Sequence, residues 1–132
     1  MITRWLLSGL TGCLFATAGL AEEHTKDSLQ TVKANVESKK AILVDVRDKQ
    51  EWNMGHVASA LMLPLTDLRR PDQIQTLVKD LPKDKIIYTH CVVGMRSLKA
   101  AEILKKQGFE VRALKPGYLE LIQAGLPDAK GK

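Results

Sequence analysis

The segment HCVVGMRS, His90 to Ser97, sets a cysteine, a glycine and an arginine close together in one short stretch. A cysteine does nucleophilic chemistry as the thiolate, and an ordinary thiol with a pKa of about 8.5 is mostly protonated at neutral pH. The surroundings must therefore favour negative charge. The amides of Val92, Val93, Gly94, Met95 and Arg96, with the first unpaired amides of a helix starting near Ser97, can converge on one point and hold an anion there. The helix dipole acts in the same sense. Gly94 allows a positive φ that aims an amide inward, and Arg96 adds a permanent cation at the rim. Each residue alone has an ordinary structural use: Gly94 as a turn, Arg96 as a solvated side chain, Ser97 as a helix cap, Cys91 as a small buried hydrophobe. Together, after a buried strand, they read as a thiolate cradle with Cys91 as nucleophile and Val92 to Arg96 as its binding loop.

Such a loop works only if the elements on either side hold it. Lys85 to His90 (KIIYTH) and Ile42 to Arg47 (ILVDVR) are short apolar runs typical of strands buried on both faces. Ala60 to Leu63 and Glu110 to Leu114 supply further strands. Leu29, Val32 and Val36 mark a surface helix within Thr25 to Lys40, and Ser97 to Gln107 is the clearest helix, stopped by Gly108. A brief helix is expected over Asp48 to Asn53, a longer one over Thr66 to Leu81 interrupted near Pro71, and a last one over Gly117 to Ala124. Alternating strands and helices imply an α/β fold: an open, mostly parallel sheet of about five short strands with helices on both faces. Ligands then bind beyond the carboxyl ends of the strands, where Cys91 falls.

The chain has 132 residues, the length of one ordinary domain. Its start differs from the rest: Arg4, an almost uncharged apolar run to Ala21, then Glu22 and Glu23. This pattern predicts a secretory signal over 1–21, with cleavage after Ala21, or alternatively after Ala18, and a single domain over 22–132. A periplasmic or secreted location follows, with no stable membrane association after cleavage; an uncleaved N-terminal anchor is the alternative. Removing the signal takes away Arg4 and Cys13, leaving a formal charge of +4 and Cys91 as the single cysteine. One thiol cannot make an internal disulfide. The charges alternate in sign without a basic block, so nucleic-acid binding is not expected.

Two families share a cysteine in such a loop. Tyrosine-specific phosphatases have H-C-x5-R-S/T, whereas this chain has H-C-x4-R-S, a shorter ring suited to a single charged sulfur. The C-x-x-G-x-R-S form, with LVDVR at 43–47, EWNMGHVASALMLPL at 51–65 and the GYLELIQAGLP ending, resembles a single-domain rhodanese (thiosulfate sulfurtransferase) of the exported bacterial type over about residues 25–127. The resemblance implies that Cys91 takes the outer sulfur of thiosulfate, releases sulfite, and passes the persulfide sulfur to cyanide or a thiol. It implies no metal and no organic cofactor. Asp45, Arg47 and Ser97 become rim or structural supports, and His56 fixes a turn. His90, next to the nucleophile along a strand, points to the other face and is no general base. Departures from the family pattern are Pro116-Gly117 where paired glycines are usual, Leu121 where a tryptophan is common, and Ser59 for a glycine. The competing functions are a persulfide carrier or protein-binding module without thiosulfate turnover, and a phosphatase, which loop length and the lack of an obvious general acid disfavour.

Overall fold

The computed structural model describes residues 21–129. The leader expected over 1–21 lies, apart from Ala21, outside the described residues. Two apolar runs form the middle of the sheet because both their faces are covered. Strand β1 (Ala41–Asp45) pairs in parallel with β4 (Ile86–His90), Ala41 opposite Ile86 and Asp45 opposite His90. Helix α1 (Leu29–Glu37) precedes β1, and between the two strands come α2 (Lys49–Met54), β2 (His56–Val57), β3 (Leu61–Met62), α3 (Leu65–Leu68) and α4 (Ile74–Val78). After β4 follow α5 (Met95–Lys106), β5 (Glu110–Ala113), α6 (Tyr118–Gln123) and β6 (Asp128–Ala129).

The main sheet has the order β3-β1-β4-β5, all pairs parallel. The expected open α/β architecture is present with four strands rather than about five; the place beyond β5 is filled by a single parallel bridge from His24 to Ala113. Thr25 N–H donates to the Ala113 carbonyl at 2.8 Å, so the segment before α1 runs along that edge.

Strand residues alternate between two cores. Leu43 and Tyr88 face Val32 of α1 and Leu121 of α6, whereas Val44, Ile87 and Val111 face Leu68, Ile74, Ala101 and Leu104 of α3, α4 and α5. Tyr88 is fully buried, but its hydroxyl donates to Asp27 Oδ2 at 2.7 Å and accepts from Asn35 Nδ2 at 2.9 Å, so no polar group is stranded there.

The helical stretch of Thr66 to Leu81 is interrupted near Pro71 as expected, Arg69 to Gln73 separating α3 from α4. One expectation is corrected. The helix after the loop begins at Met95, with Gly94 as N-cap in the left-handed region (φ 92°), so Ser97 is the third helical residue and not the cap. His56 lies in β2, which pairs antiparallel with β6, and it holds the turn at Gly55: its Nδ1 lies 3.0 Å from the Trp52 carbonyl and its ring stacks on Trp52 at 3.5 Å between centroids. That two-residue ribbon carries too little pattern to be read from sequence.

Candidate active site

Cys91 is the first residue after β4, and its loop is four residues long before α5 takes over. Alternation places its side chain on the α5 face, in the cluster with Ile87, Ala100 and Ala101. The Gly94 amide donates to Cys91 Sγ at 3.2 Å. Burial pushes the thiol pKa up, yet the backbone amides of Ser97, Gly94 and Arg96 outweigh it, and the thiol is held below its ordinary value. The Ser97 hydroxyl lies 2.9 Å from the Gly94 carbonyl and 2.7 Å from the Leu114 carbonyl. Its single proton cannot serve those oxygens and the sulfur at once, so Ser97 helps the thiolate mainly through its backbone.

The positive φ of Gly94 lets its N–H point at the sulfur and its carbonyl point away. That carbonyl lies 2.8 Å from His24 Nε2, and a side chain at 94 would come within 2.6 Å of the same nitrogen. The segment ahead of α1 thus braces the loop from outside. On the other side Tyr118 N–H reaches the Cys91 carbonyl at 3.3 Å. A Cβ on Gly117 would stand 2.5 Å from the Val92 carbonyl oxygen and 2.6 Å from that of Cys91, so only glycine lets α6 dock this closely. Pro116, the departure from paired glycines, leaves that contact intact because the close approach falls on residue 117.

The residues expected at the site occupy distinct positions. The side chains of Val92, Val93 and Met95 stand out into solvent around the loop, while Cys91 itself is only 1% exposed. A reagent must therefore enter the ring to reach the sulfur. Arg96 is at the rim but not free: its two terminal nitrogens hold Glu51 at 2.6 and 3.1 Å. Glu51 also accepts the Asp48 amide at 3.2 Å, capping α2, and Arg96 holds its carboxyl below the usual range. Sequence reasoning missed Glu51. Its position in the EWNMGHV stretch, three residues after Asp48 as in a capping box, was the available signal.

Asp45, Arg47 and Ser97 are all buried, so of the two roles, rim or support, their geometry is that of support. Arg47 forks onto Asp45 with Nε at 3.0 Å and Nη2 at 2.8 Å, gives Nη2 also to the Gly55 carbonyl at 2.8 Å, and lies 4.7 Å from the Tyr118 ring centre. It thereby ties β1 to the end of α2 and the start of α6. His90 points to the opposite face from Cys91, beside Asp45. Both its ring nitrogens are buried without a partner, and burial lowers its pKa to about 4, so the ring is neutral at physiological pH.

A cavity of about 430 Å³ opens beside the loop, at the carboxyl ends of β1 and β4. Among the described residues, no group of histidine, cysteine and carboxylate side chains is arranged to hold a metal ion, and no helix is long and apolar enough to cross a membrane.

A parallel α/β sheet that ends in a short amide loop around one thiol is the combination of fold and site that defines the class of this domain. Residues 28–124 match the Rhodanese-like domain, and the chain belongs to that family. It is 38% identical over 82 residues to the uncharacterized protein YqhL of Bacillus subtilis, a match covering 61% of this chain and 60% of that one. The structure is similar to a rhodanese-related protein from Thermoplasma volcanium (TM-score 0.61, 27% identity, 76% of this chain and 93% of that one). It is also similar to a rhodanese with anions from E. coli (TM-score 0.53, 27% identity, 69% and 99%). The chain spans less than two thirds of the curated relatives it matches, for example 31% of a tRNA uridine(34) hydroxylase from Buchnera aphidicola.

Proposed function

We propose that this domain is a sulfurtransferase that carries a sulfane sulfur on Cys91, taking it from thiosulfate or a related donor and giving it to cyanide or a thiol. The observation that carries the reading is the Gly94 N–H aimed at Cys91 Sγ from 3.2 Å within a four-residue loop, with the Arg96 and Ser97 amides also favouring the thiolate. In the first half-reaction the Cys91 thiolate attacks the outer sulfur of thiosulfate. The S–S bond of the donor breaks, and sulfite leaves with the electron pair. The same amides then face the terminal sulfur of the persulfide, so charge stays solvated by fixed dipoles in both halves of the cycle. The similar rhodanese with anions from E. coli is in keeping with such a cradle.

Mass spectrometry after incubation with thiosulfate tests this directly. One added sulfur on Cys91 and steady thiocyanate production with cyanide are expected, and Cys91→Ser abolishes both. A folded wild-type protein that gains no sulfur from any sulfane donor overturns the reading.

A second reading, a persulfide carrier without thiosulfate turnover, is favoured by one observation: Arg96, the loop's own cation, is already held by Glu51 through both terminal nitrogens. Stoichiometric loading without sustained thiocyanate formation separates it from the first. We further propose export to the periplasm or beyond, on the strength of the basic, apolar and small-residue pattern of residues 1–21. An N-terminus beginning at Glu22 in the exported protein is the expected result, and an intact Met1 is the opposing one.

A further inference from the structure

The cavity beside the loop does not match the small inorganic anion that the amide ring suits. Its volume of about 430 Å³ falls in the range of roughly 300–1,000 Å³ typical of organic-ligand sites. Its apolar wall is made by Met54, Val92, Val93 and Leu119, which are 88%, 47%, 70% and 67% exposed. Large apolar side chains left in solvent around one opening mark a place where something apolar binds.

The charges in the lining point the same way. Arg47 is neutralised by Asp45, and Glu51 is held by Arg96. Glu120, the remaining charged residue of the lining, accepts the Gly117 amide at 3.1 Å and has an exposed carboxylate at the rim. Carboxylates therefore outnumber free cations here, and an anionic body entering the cavity meets repulsion without a counter-ion.

We propose that this cavity seats the body of the sulfur acceptor, an organic thiol with an aliphatic or aromatic body and no negative charge, while its thiol reaches the sulfur on Cys91. This rests on the sulfur-transfer reading and narrows its second half-reaction. The acceptor thiolate attacks the terminal sulfur of the Cys91 persulfide and forms a new S–S bond. The bond from that sulfur to Cys91 Sγ breaks, and the electron pair returns to Cys91 as thiolate. The acceptor leaves as its own persulfide, with no net oxidation. The division of labour follows from position: the amide ring handles the sulfur, and the neighbouring apolar wall handles what the sulfur is attached to.

Discharge of the loaded Cys91 persulfide by benzyl mercaptan, 2-mercaptoethanol and 3-mercaptopropionate, each corrected for its thiolate fraction, tests the proposal. Benzyl mercaptan is expected to react at least about ten-fold faster than 3-mercaptopropionate, the scale on which a matched apolar pocket discriminates. Leu119→Ser and Met54→Ser, both at exposed positions, should each shrink the ratio of benzyl mercaptan to cyanide discharge. Equal corrected rates across the three thiols, or ratios untouched in both variants, overturn the acceptor class while leaving sulfur transfer standing. Rapid discharge by a reduced dithiol protein such as thioredoxin with none by benzyl mercaptan overturns it too, in favour of a protein acceptor. If Cys91 accepts no sulfur, the sulfur-transfer reading fails by itself, and the cavity is still read by alkylation of Cys91 with N-alkylmaleimides. A rate that climbs with chain length supports the apolar seat; a flat series overturns it.

Discussion

Arg47 and Arg96 each grip a carboxylate with a forked guanidinium, yet the two pairs live in different solvents. The Arg47–Asp45 side chains are 6% and 1% exposed, whereas those of Arg96 and Glu51 are both 32% exposed. Removing one partner from the buried pair leaves a charge with no water to turn to. Removing one partner at the mouth leaves a charge that water, or an incoming ligand, can satisfy. One pair therefore builds the floor on which the loop stands, and the other sets the charge that a ligand meets on arrival.

The contrast is broken first at the buried pair. Arg47→Ala is expected to cost about 3–5 kcal/mol of folding free energy, read by denaturant unfolding, because Asp45 is left buried and the Gly55 carbonyl loses its donor. The Asp45→Leu/Arg47→Met double variant should recover much of that loss. A cost for Arg47→Ala no larger than that of an exposed pair would erase the distinction drawn here.

Acid probes the same floor. His90 lies beside Asp45 and Arg47, and burial depresses its pKa from 6.5 to about 4. The unfolded chain therefore takes up a proton between those values while the folded chain does not, and stability rises with pH across that window. Lowering the pH from 7 to 4 should remove about 3 kcal/mol through this residue. A His90→Leu variant, followed by denaturant unfolding at several pH values, should show a flatter acid limb.

Effects at the mouth are smaller. His24→Ala removes a partner of the Gly94 carbonyl and is expected to cost about 1 kcal/mol. It should also move the pH midpoint of Cys91 alkylation upward, since the loop that aims the Gly94 amide is less firmly held. His24→Gln, which keeps a donor, should restore part of the midpoint, a recovery that simple packing loss would not give. Glu51→Gln is expected to change stability by less than about 1 kcal/mol, yet to lower the KM for thiosulfate about threefold by freeing Arg96, with the gain fading as salt is added.

The parts of this molecule legible in its sequence are those that repeat a short-range rule. ILVD and IIYT are covered on both faces and so show unbroken apolar runs, and α5 shows its buried stripe at Ala100, Ala101 and Leu104. The cradle was readable because a turn into a helix exposes amides whatever the rest of the fold does. What stayed hidden depends on contacts between distant segments. Glu51 meets Arg96 across 45 residues and His24 meets Gly94 across 70, and no local pattern announces either. The pairing of His56–Val57 with Asp128–Ala129 escaped for the same reason, being two short pieces far apart in sequence. The start of α5 was set near Ser97 because a serine before an apolar helix is the common signal, while here Gly94 turns the chain three residues earlier.

Gly117 carries a consequence for how this sequence can drift. Every single-nucleotide missense change in a glycine codon adds at least one carbon, and here that carbon lands against two peptide oxygens at the loop's root. Helix α6 would have to lift off, taking Tyr118 away from Arg47 and the Cys91 carbonyl together. The codon therefore has no gentle neighbours, and random mutagenesis scored for retained activity should return it unchanged while its flanks vary.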